Sequence, residues 1–170
     1  DDAFNGCTSL KNIDKDDEYN KNVVETIGIR SFADCKSLSE VSFPKVTSIG
    51  DRAFEKCEKL TYVSIPNCNH IGTYAFIDCT KLEIIESQEI SIVESEILDG
   101  AFQNCSALNY IYLDNCIHIG NEAFMNCKTL NKAKLNKCKY IGKNAFKNCE
   151  NITQVTLSVC EKIDIDAFSG

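Results

Sequence analysis

No stretch of this 170-residue sequence approaches the roughly 18 consecutive apolar residues of a membrane span. No membrane insertion is therefore expected of it. It also has no positive excess. The formal net charge is −7, read here as spread along the chain, whereas nucleic-acid binders need a basic stripe. No Cys-x₂₋₄-Cys spacing of the kind structural zinc sites use occurs. No glycine-rich phosphate loop is found either, because each glycine is accounted for by a repeat or by a chain end. The acidic run Asp14-x-Asp16-Asp17-Glu18 lacks the sixth-position glycine and distal glutamate of an EF-hand, and reads as a solvated loop. No signal peptide is visible at Asp1, and the sequence opens inside a motif ("DDAFNGC") that it also closes inside ("IDIDAFSG"). Both termini are expected to be cuts through something longer. No metal, cofactor or catalytic residue is expected, and the chain is read as not an enzyme.

Cysteine is abundant: there are eleven. A disulfide scaffold would be the usual reading, but the spacing opposes it. Cys57, Cys68 and Cys79 fall 11 residues apart, as do Cys105, Cys116, Cys127, Cys138, Cys149 and Cys160. A strict period marks one repeated position type, which predicts buried free thiols acting as small hydrophobes. Bridges between adjacent coils stay open, because stacked strands bring Cα atoms within bridging distance. A nucleophilic role would need a neighbouring base and exposure, and the ladder offers neither. His70 and His118 occupy the repeat position filled elsewhere by Ser48, Tyr140 and Lys162, a tolerance that predicts solvated surface.

Alignment on the phenylalanine of an Ala-Phe pair (Ser-Phe in the copy at Phe32) gives Phe4, Phe32, Phe54, Phe76, Phe102, Phe124, Phe146 and Phe168, at spacings of 28, 22, 22, 26, 22, 22 and 22. Periods of 20–29 residues mark leucine-rich solenoids. Each repeat has a Gly-x-x-Ala-Phe-x-x-Cys half and a Leu-x-x-Val-x-Leu half. The first predicts a short helix or 3₁₀ turn, capped by Asp51, Thr73, Asp99 or Asn121 three residues before the phenylalanine. Gly28, Gly50, Gly72, Gly120 and Gly142 sit at the bend, where positive φ or a close backbone approach is expected. The second half, as in "LTYVSI" and "LNYIYL", predicts a short strand. Repeats that all run in one sense make successive strands parallel. The expected fold is an α/β repeat solenoid: one right-handed array of about seven leucine-rich repeats over 1–170. A parallel β-sheet forms its concave face, and helical or 3₁₀ turns its convex face. Two longer repeats carry "DKDDEYNKN" (14–22) and "ESQEISIVESE" (86–96) between strand and turn, where insertions commonly line a binding face.

The stretch "IGDRAFEKCEKLTYVSIPNCNHIGTYAF" resembles the leucine-rich repeat of the BspA-like type found in bacterial and protist surface proteins. The resemblance spans essentially the whole chain. It implies an exported or surface-attached solenoid that binds other proteins, often matrix or plasma glycoproteins, in adhesion. It carries over no fixed set of binding residues. Two departures are the proline missing after several strands ("YLDNC", "KLNKC", "TLSVC") and the many cysteines. Cysteine-rich ladders also occur in intracellular leucine-rich proteins, so a cytoplasmic interaction scaffold is the alternative to a cell-surface or secreted module. A structural stalk is another.

The outward strand positions differ between copies. One column reads Asn12, Glu40, Tyr62, Ile84, Tyr110, Lys132, Gln154, and the next Asp14, Ser42, Ser64, Glu86, Tyr112, Lys134, Thr156. Tyr62, Ile84, Tyr110 and Tyr112 form an apolar patch that Lys132 and Lys134 continue as a basic end. These six are the expected partner-binding residues, tyrosine being frequent at interface hot spots. Cross-strand tyrosine pairs that merely stabilise the sheet are the competing reading. Uncapped ends would also expose apolar coil faces and favour self-association.

Overall fold

The computed structural model describes residues 1–13, 23–86 and 95–170, with the backbone alone for Glu86 and Tyr112. The described strands are, in chain order, β1 (Thr26–Ile27), β2 (Glu40–Ser42), β3 (Ser48–Ile49), β4 (Tyr62–Ser64), β5 (His70–Ile71), β6 (Ile84–Glu86) and β7 (Ser95–Ile97). They continue as β8 (Tyr110–Tyr112), β9 (Cys116–Ile119), β10 (Lys132–Leu135), β11 (Tyr140–Ile141), β12 (Gln154–Leu157) and β13 (Lys162–Ile163). Every described pairing is parallel. The odd-numbered strands form a seven-stranded sheet in sequence order, built from the residues that precede each glycine bend. The Leu-x-x-Val-x-Leu strands form two three-stranded sheets, β2-β4-β6 and β8-β10-β12. Each coil therefore supplies two strands, where the sequence reading expected one. The two smaller sheets come from the parts of the chain before and after residues 87–94; both insertions lie largely outside the described residues.

The core is a stack of identical positions. The eight repeat phenylalanine rings, Phe4 to Phe168, form one column, with neighbouring centroids 5.0–5.2 Å apart and ring planes within 3–9° of parallel. The five from Phe54 to Phe146 are at most 1% exposed. Burying each ring contributes roughly 1.5–3 kcal/mol, and offset stacking adds about 0.5–1.5 kcal/mol per pair.

The α/β description with helical turns is not borne out: among the described residues there is no helix of any kind. The Ala-Phe segments are runs of turns, and the backbone explains why. The residue two before the phenylalanine is left-handed in coil after coil: Arg30 (φ 53°), Arg52 (55°), Tyr74 (56°) and Glu122 (58°). So is the residue two after it: Asp34 (58°), Lys56 (57°), Asp78 (61°), Asn104 (64°) and Asn126 (63°). Two left-handed residues per turn interrupt any helical run. Each such turn instead gives its N–H groups to the next coil, as in Phe54 N–H to the Ala75 carbonyl at 2.7 Å and Phe76 N–H to the Ala101 carbonyl at 2.7 Å.

The expected capping residues act between coils for the same reason. Asp51 Oδ1 accepts from the Thr73 N–H at 2.8 Å, and Asp99 Oδ1 from the Asn121 N–H at 2.7 Å. Asn121 Oδ1 in turn accepts from the Lys143 N–H at 2.9 Å. These side chains satisfy the corresponding residue one coil on. At the glycine bend, close approach is the requirement: a Cβ on Gly142 would lie 2.6 Å from the Gly120 carbonyl carbon.

Candidate functional site

The cysteines form two columns, and the 11-residue spacing is half a coil. Cys35, Cys57, Cys79, Cys105, Cys127 and Cys149 follow the phenylalanine column. Each Sγ donates to the phenylalanine carbonyl of the preceding coil, as from Cys57 to Phe32 at 3.1 Å and from Cys127 to Phe102 at 3.3 Å. Cys68, Cys116, Cys138 and Cys160 line the other side and donate to the carbonyl two residues on, as from Cys116 to His118 at 3.2 Å. A 22-residue coil passes the core twice, so two column types alternate every 11 residues. The reading of a single position type is corrected to two.

All eleven cysteines are free thiols, Cys7 exposed and Cys160 half-buried. Burial pushes the Cys68 and Cys138 thiols up to about 11, and those of Cys116 and Cys149 up to about 12. These are neutral hydrogen-bond donors at physiological pH, and inert as nucleophiles.

A third ladder was not anticipated. Asn104 Nδ2 donates to Asp78 Oδ1 at 2.7 Å, Asn126 Nδ2 to Asn104 Oδ1 at 2.7 Å, and Asn148 Nδ2 to Asn126 Oδ1 at 2.8 Å. These asparagines occupy the left-handed position after the phenylalanine, where asparagine pays less than most residues. The signal was present in the repeated Asn-Cys pairs.

His70 and His118 lie on the outward face of the seven-stranded sheet, in register with Glu96 between them. Both are half-buried, at a surface position as expected. His118 stacks on Tyr140 (centroids 4.9 Å apart), and the Lys162 ammonium lies 5.1 Å from the Tyr140 ring centre. Tyr140 Oη donates to Asp164 at 3.0 Å. Among the described residues, no group of three or more metal-ligating side chains converges.

The six expected binding residues fall on the outward side of the smaller sheets. Register pairs Glu40 with Tyr62 and Tyr62 with Ile84. It pairs Tyr110 with Lys132, and Tyr112 with Lys134. The intervening Val41, Val63, Ile111 and Ala133 are buried, as alternation requires. Tyr62 and Ile84 are half-buried on one sheet; Tyr110 (36% exposed) and Lys132 are exposed on the other. The Lys134 ammonium pairs with Asp114 Oδ2 at 2.5 Å. The side chain of Tyr112 lies outside the described residues. The expected patch is thus divided between two sheets.

An apolar cavity of about 30 Å³ lies between the sheets, lined by Ile65, Ile71, Ile85, Ile97, Phe102 and Ile111 among others. It is far below the roughly 300–1,000 Å³ of ligand pockets and reads as a packing gap.

A family model described as the BspA type leucine rich repeat region matches this chain in six copies, over residues 1–97 and 68–170. The chain belongs to the BspA-type leucine-rich repeat family. No curated protein matches it. Among solved structures it is similar to the leucine rich repeat protein TpLRR of T. pallidum, with 24% identity and a TM-score of 0.68 over 83% of this chain and 64% of that one. It is also similar to a leucine rich cell surface protein of Faecalibacterium prausnitzii (21% identity, TM-score 0.65, 82% of this chain and 49% of that one). A third is the pneumococcal vaccine antigen PcpA (20% identity, TM-score 0.60, 73% and 31%). At these identities the likeness is one of fold, and this chain spans less than two thirds of each. In the BspA-type pattern seen here, Ile-Gly closes a strand of the seven-stranded sheet, Ala-Phe builds the stacked turn, and Leu-x-x-Val-x-Leu makes the second strand. Among the described residues no helix is long and apolar enough to cross a membrane.

The net charge is less evenly spread than the sequence reading held. Residues 123–149 contain seven lysines and no Asp or Glu. A windowed count along the chain would have found it.

Proposed function

We propose that this chain is a non-catalytic protein-binding module of a cell-surface or secreted BspA-type protein, acting in adhesion to host or matrix proteins. The observation that carries the reading is the outward face of β8-β10-β12, where the exposed Tyr110 ring stands in register with Lys132. An exposed aromatic ring beside hydrated cations supplies both an apolar anchor and a polar rim. Tyr62 and Ile84, on the neighbouring sheet, extend the apolar part. Membership of the family supports surface display, since the F. prausnitzii relative is described as a cell surface protein.

The test is saturable binding to immobilised matrix and plasma glycoproteins at physiological salt, with the Tyr110→Ala/Tyr112→Ala variant alongside. Binding abolished in that variant supports the assignment. Binding that survives it moves the site elsewhere, and absence of binding to any of them removes the adhesive role.

One observation favours the second reading, an intracellular interaction scaffold: all eleven thiols are unpaired, as suits a reducing compartment. A secretion signal in the parent gene would eliminate it.

A further inference from the structure

Outside residues 123–149 the chain carries a formal charge of −14, the total of −7 less the +7 of the seven lysines. That positive charge is concentrated on a single coil. Four of the lysines follow one another through β10 and the corner after it, in "KAKLNKCK" (132–139). Ala133, Leu135 and Cys138 are buried, which turns Lys132, Lys134, Lys137 and Lys139 outward. Lys132, Lys137 and Lys139 are exposed. Lys134 and Lys137 are steadied by the preceding coil, through Asp114 and through Asn115 Oδ1 at 2.7 Å. At about 3.3 Å per strand residue, Lys132 and Lys134 stand roughly 6.6 Å apart. Their flanking register partners are uncharged: Tyr110 and Gln154 beside Lys132, and Tyr112 and Thr156 beside Lys134.

We propose that this lysine line, with the exposed face of Tyr110 at its end, binds an anionic polysaccharide, a linear chain bearing sulfate or carboxylate on its sugars. The proposal goes beyond the protein-binding reading, since Lys137 and Lys139 lie outside the residues invoked there.

Three features select this partner. A row of cations along one coil matches a linear polyanion by charge complementarity. The cations are all lysine, and the chain's two arginines, Arg30 and Arg52, lie on other coils. Hydrated ammonium groups act as separate point charges and suit single anionic groups spaced along a chain, whereas planar guanidinium forks favour bidentate recognition of one carboxylate or phosphate. Finally, β10 is hydrogen-bonded on both sides, to β8 and to β12. An acidic peptide therefore cannot add as a strand there, while an aromatic face offers its electron-rich surface to the C–H groups of a sugar ring.

The experiment is surface-immobilised binding of the whole chain to heparin and to hyaluronan, across a salt series. Neutral dextran, polyglutamate, duplex DNA and phosphatidylserine vesicles are the comparison probes. Retention on heparin alone assigns sulfated glycans; retention on both polymers shows that carboxylate suffices. In Lys137→Ala/Lys139→Ala affinity falls about tenfold, and the slope of log affinity on log salt drops by about two, one for each lysine. Lys45→Ala/Lys59→Ala, exposed lysines on other coils, leaves both unchanged. Because the altered side chains are exposed, an unchanged unfolding midpoint certifies that the variant folds. Failure to bind either glycan overturns the proposal. So do equal or tighter binding to polyglutamate, DNA or vesicles, and equal losses in the two variants. Loss of glycan binding in Lys137→Ala/Lys139→Ala with protein adhesion retained would separate the two sites.

Discussion

The sheets β2-β4-β6 and β8-β10-β12 share one register and one inward alternation, yet present different chemistry outward. Inward they carry Val41, Val63 and Ile85 in one, and Ile111, Ala133 and Val155 in the other, all buried or half-buried. Outward, the first shows Glu40, Tyr62, Ile84, Ser42 and Ser64, and the second Tyr110, Lys132, Lys134, Gln154 and Thr156. Charge elsewhere on the coils follows the same division. Around Phe54, the nearly buried Glu55 gathers Arg30 (3.7 Å), Arg52 (3.3 Å) and Lys56 (3.7 Å) into one network. Around Phe146, Lys143 and Lys147 belong to the stretch 123–149 that has no Asp or Glu, and the nearest acidic residue, Glu150, pairs with Lys128 at 3.6 Å. The lesson is that stacking fixes the interior and leaves the outward columns open to carry recognition.

The comparison breaks most readily from inside. Phe102→Ala removes one ring from the middle of the column and leaves a gap that its neighbours Phe76 and Phe124 are held too firmly to fill. A loss of about 3–5 kcal/mol is expected in urea unfolding, large enough to affect both sheets together.

Next in size is the asparagine ladder. Asn126→Ala strands the Asn148 amide and the Asn104 carbonyl oxygen, and puts alanine at φ 63°. The expected loss is about 1–3 kcal/mol. Asn126→Gly should recover the backbone part and leave the hydrogen-bond part, which the same unfolding measurement resolves.

Shared by both regions is the response to alkali. A thiol whose pKa is higher folded than unfolded holds its proton more tightly in the fold. The stability it contributes is complete below the unfolded value near 9.0 and is lost as pH rises through the folded value. With Cys35, Cys68 and Cys138 raised to about 11 and Cys116 and Cys149 to about 12, the unfolding midpoint should be insensitive to thiol ionisation up to about pH 8.5 and fall above pH 9. Thiol titration at pH 8 should modify Cys7 first and Cys160 more slowly, with the buried nine of the eleven reacting only on unfolding. Rapid modification of all eleven would contradict the buried-ladder account.

The smallest expected effect is on the outward face. Lys132→Thr/Gln154→Thr exchanges two exposed residues for a good strand former, and stability should change by less than about 1 kcal/mol.

Much of this was legible in the sequence because a repeat multiplies every local signal. The phenylalanine column, the parallel strands and the outward columns follow from positions recurring at 22 residues. What sequence could not supply was the backbone at the turn. Arg52 and Lys56 carry no mark of left-handed conformation, since their positive φ follows from hydrogen bonds to the next coil. Without that, Asp51 and Asp99 look like helix caps. The cysteine period was seen, but its meaning as two half-coil columns needs a second strand per coil, which residues as short as Ser48–Ile49 hardly announce. The lysine line of 132–139 was visible all along, hidden by averaging charge over the chain.

Urea unfolding of Tyr110→Ala/Tyr112→Ala beside Phe102→Ala tests the division between scaffold and recognition most directly. Cross-strand pairs on a sheet face are worth about 0.2–1 kcal/mol each. The account predicts that the tyrosine variant unfolds within about 1 kcal/mol of the parent, while Phe102→Ala loses several times more. A tyrosine variant destabilised as severely as Phe102→Ala would contradict it, and would make the outward rings part of the scaffold.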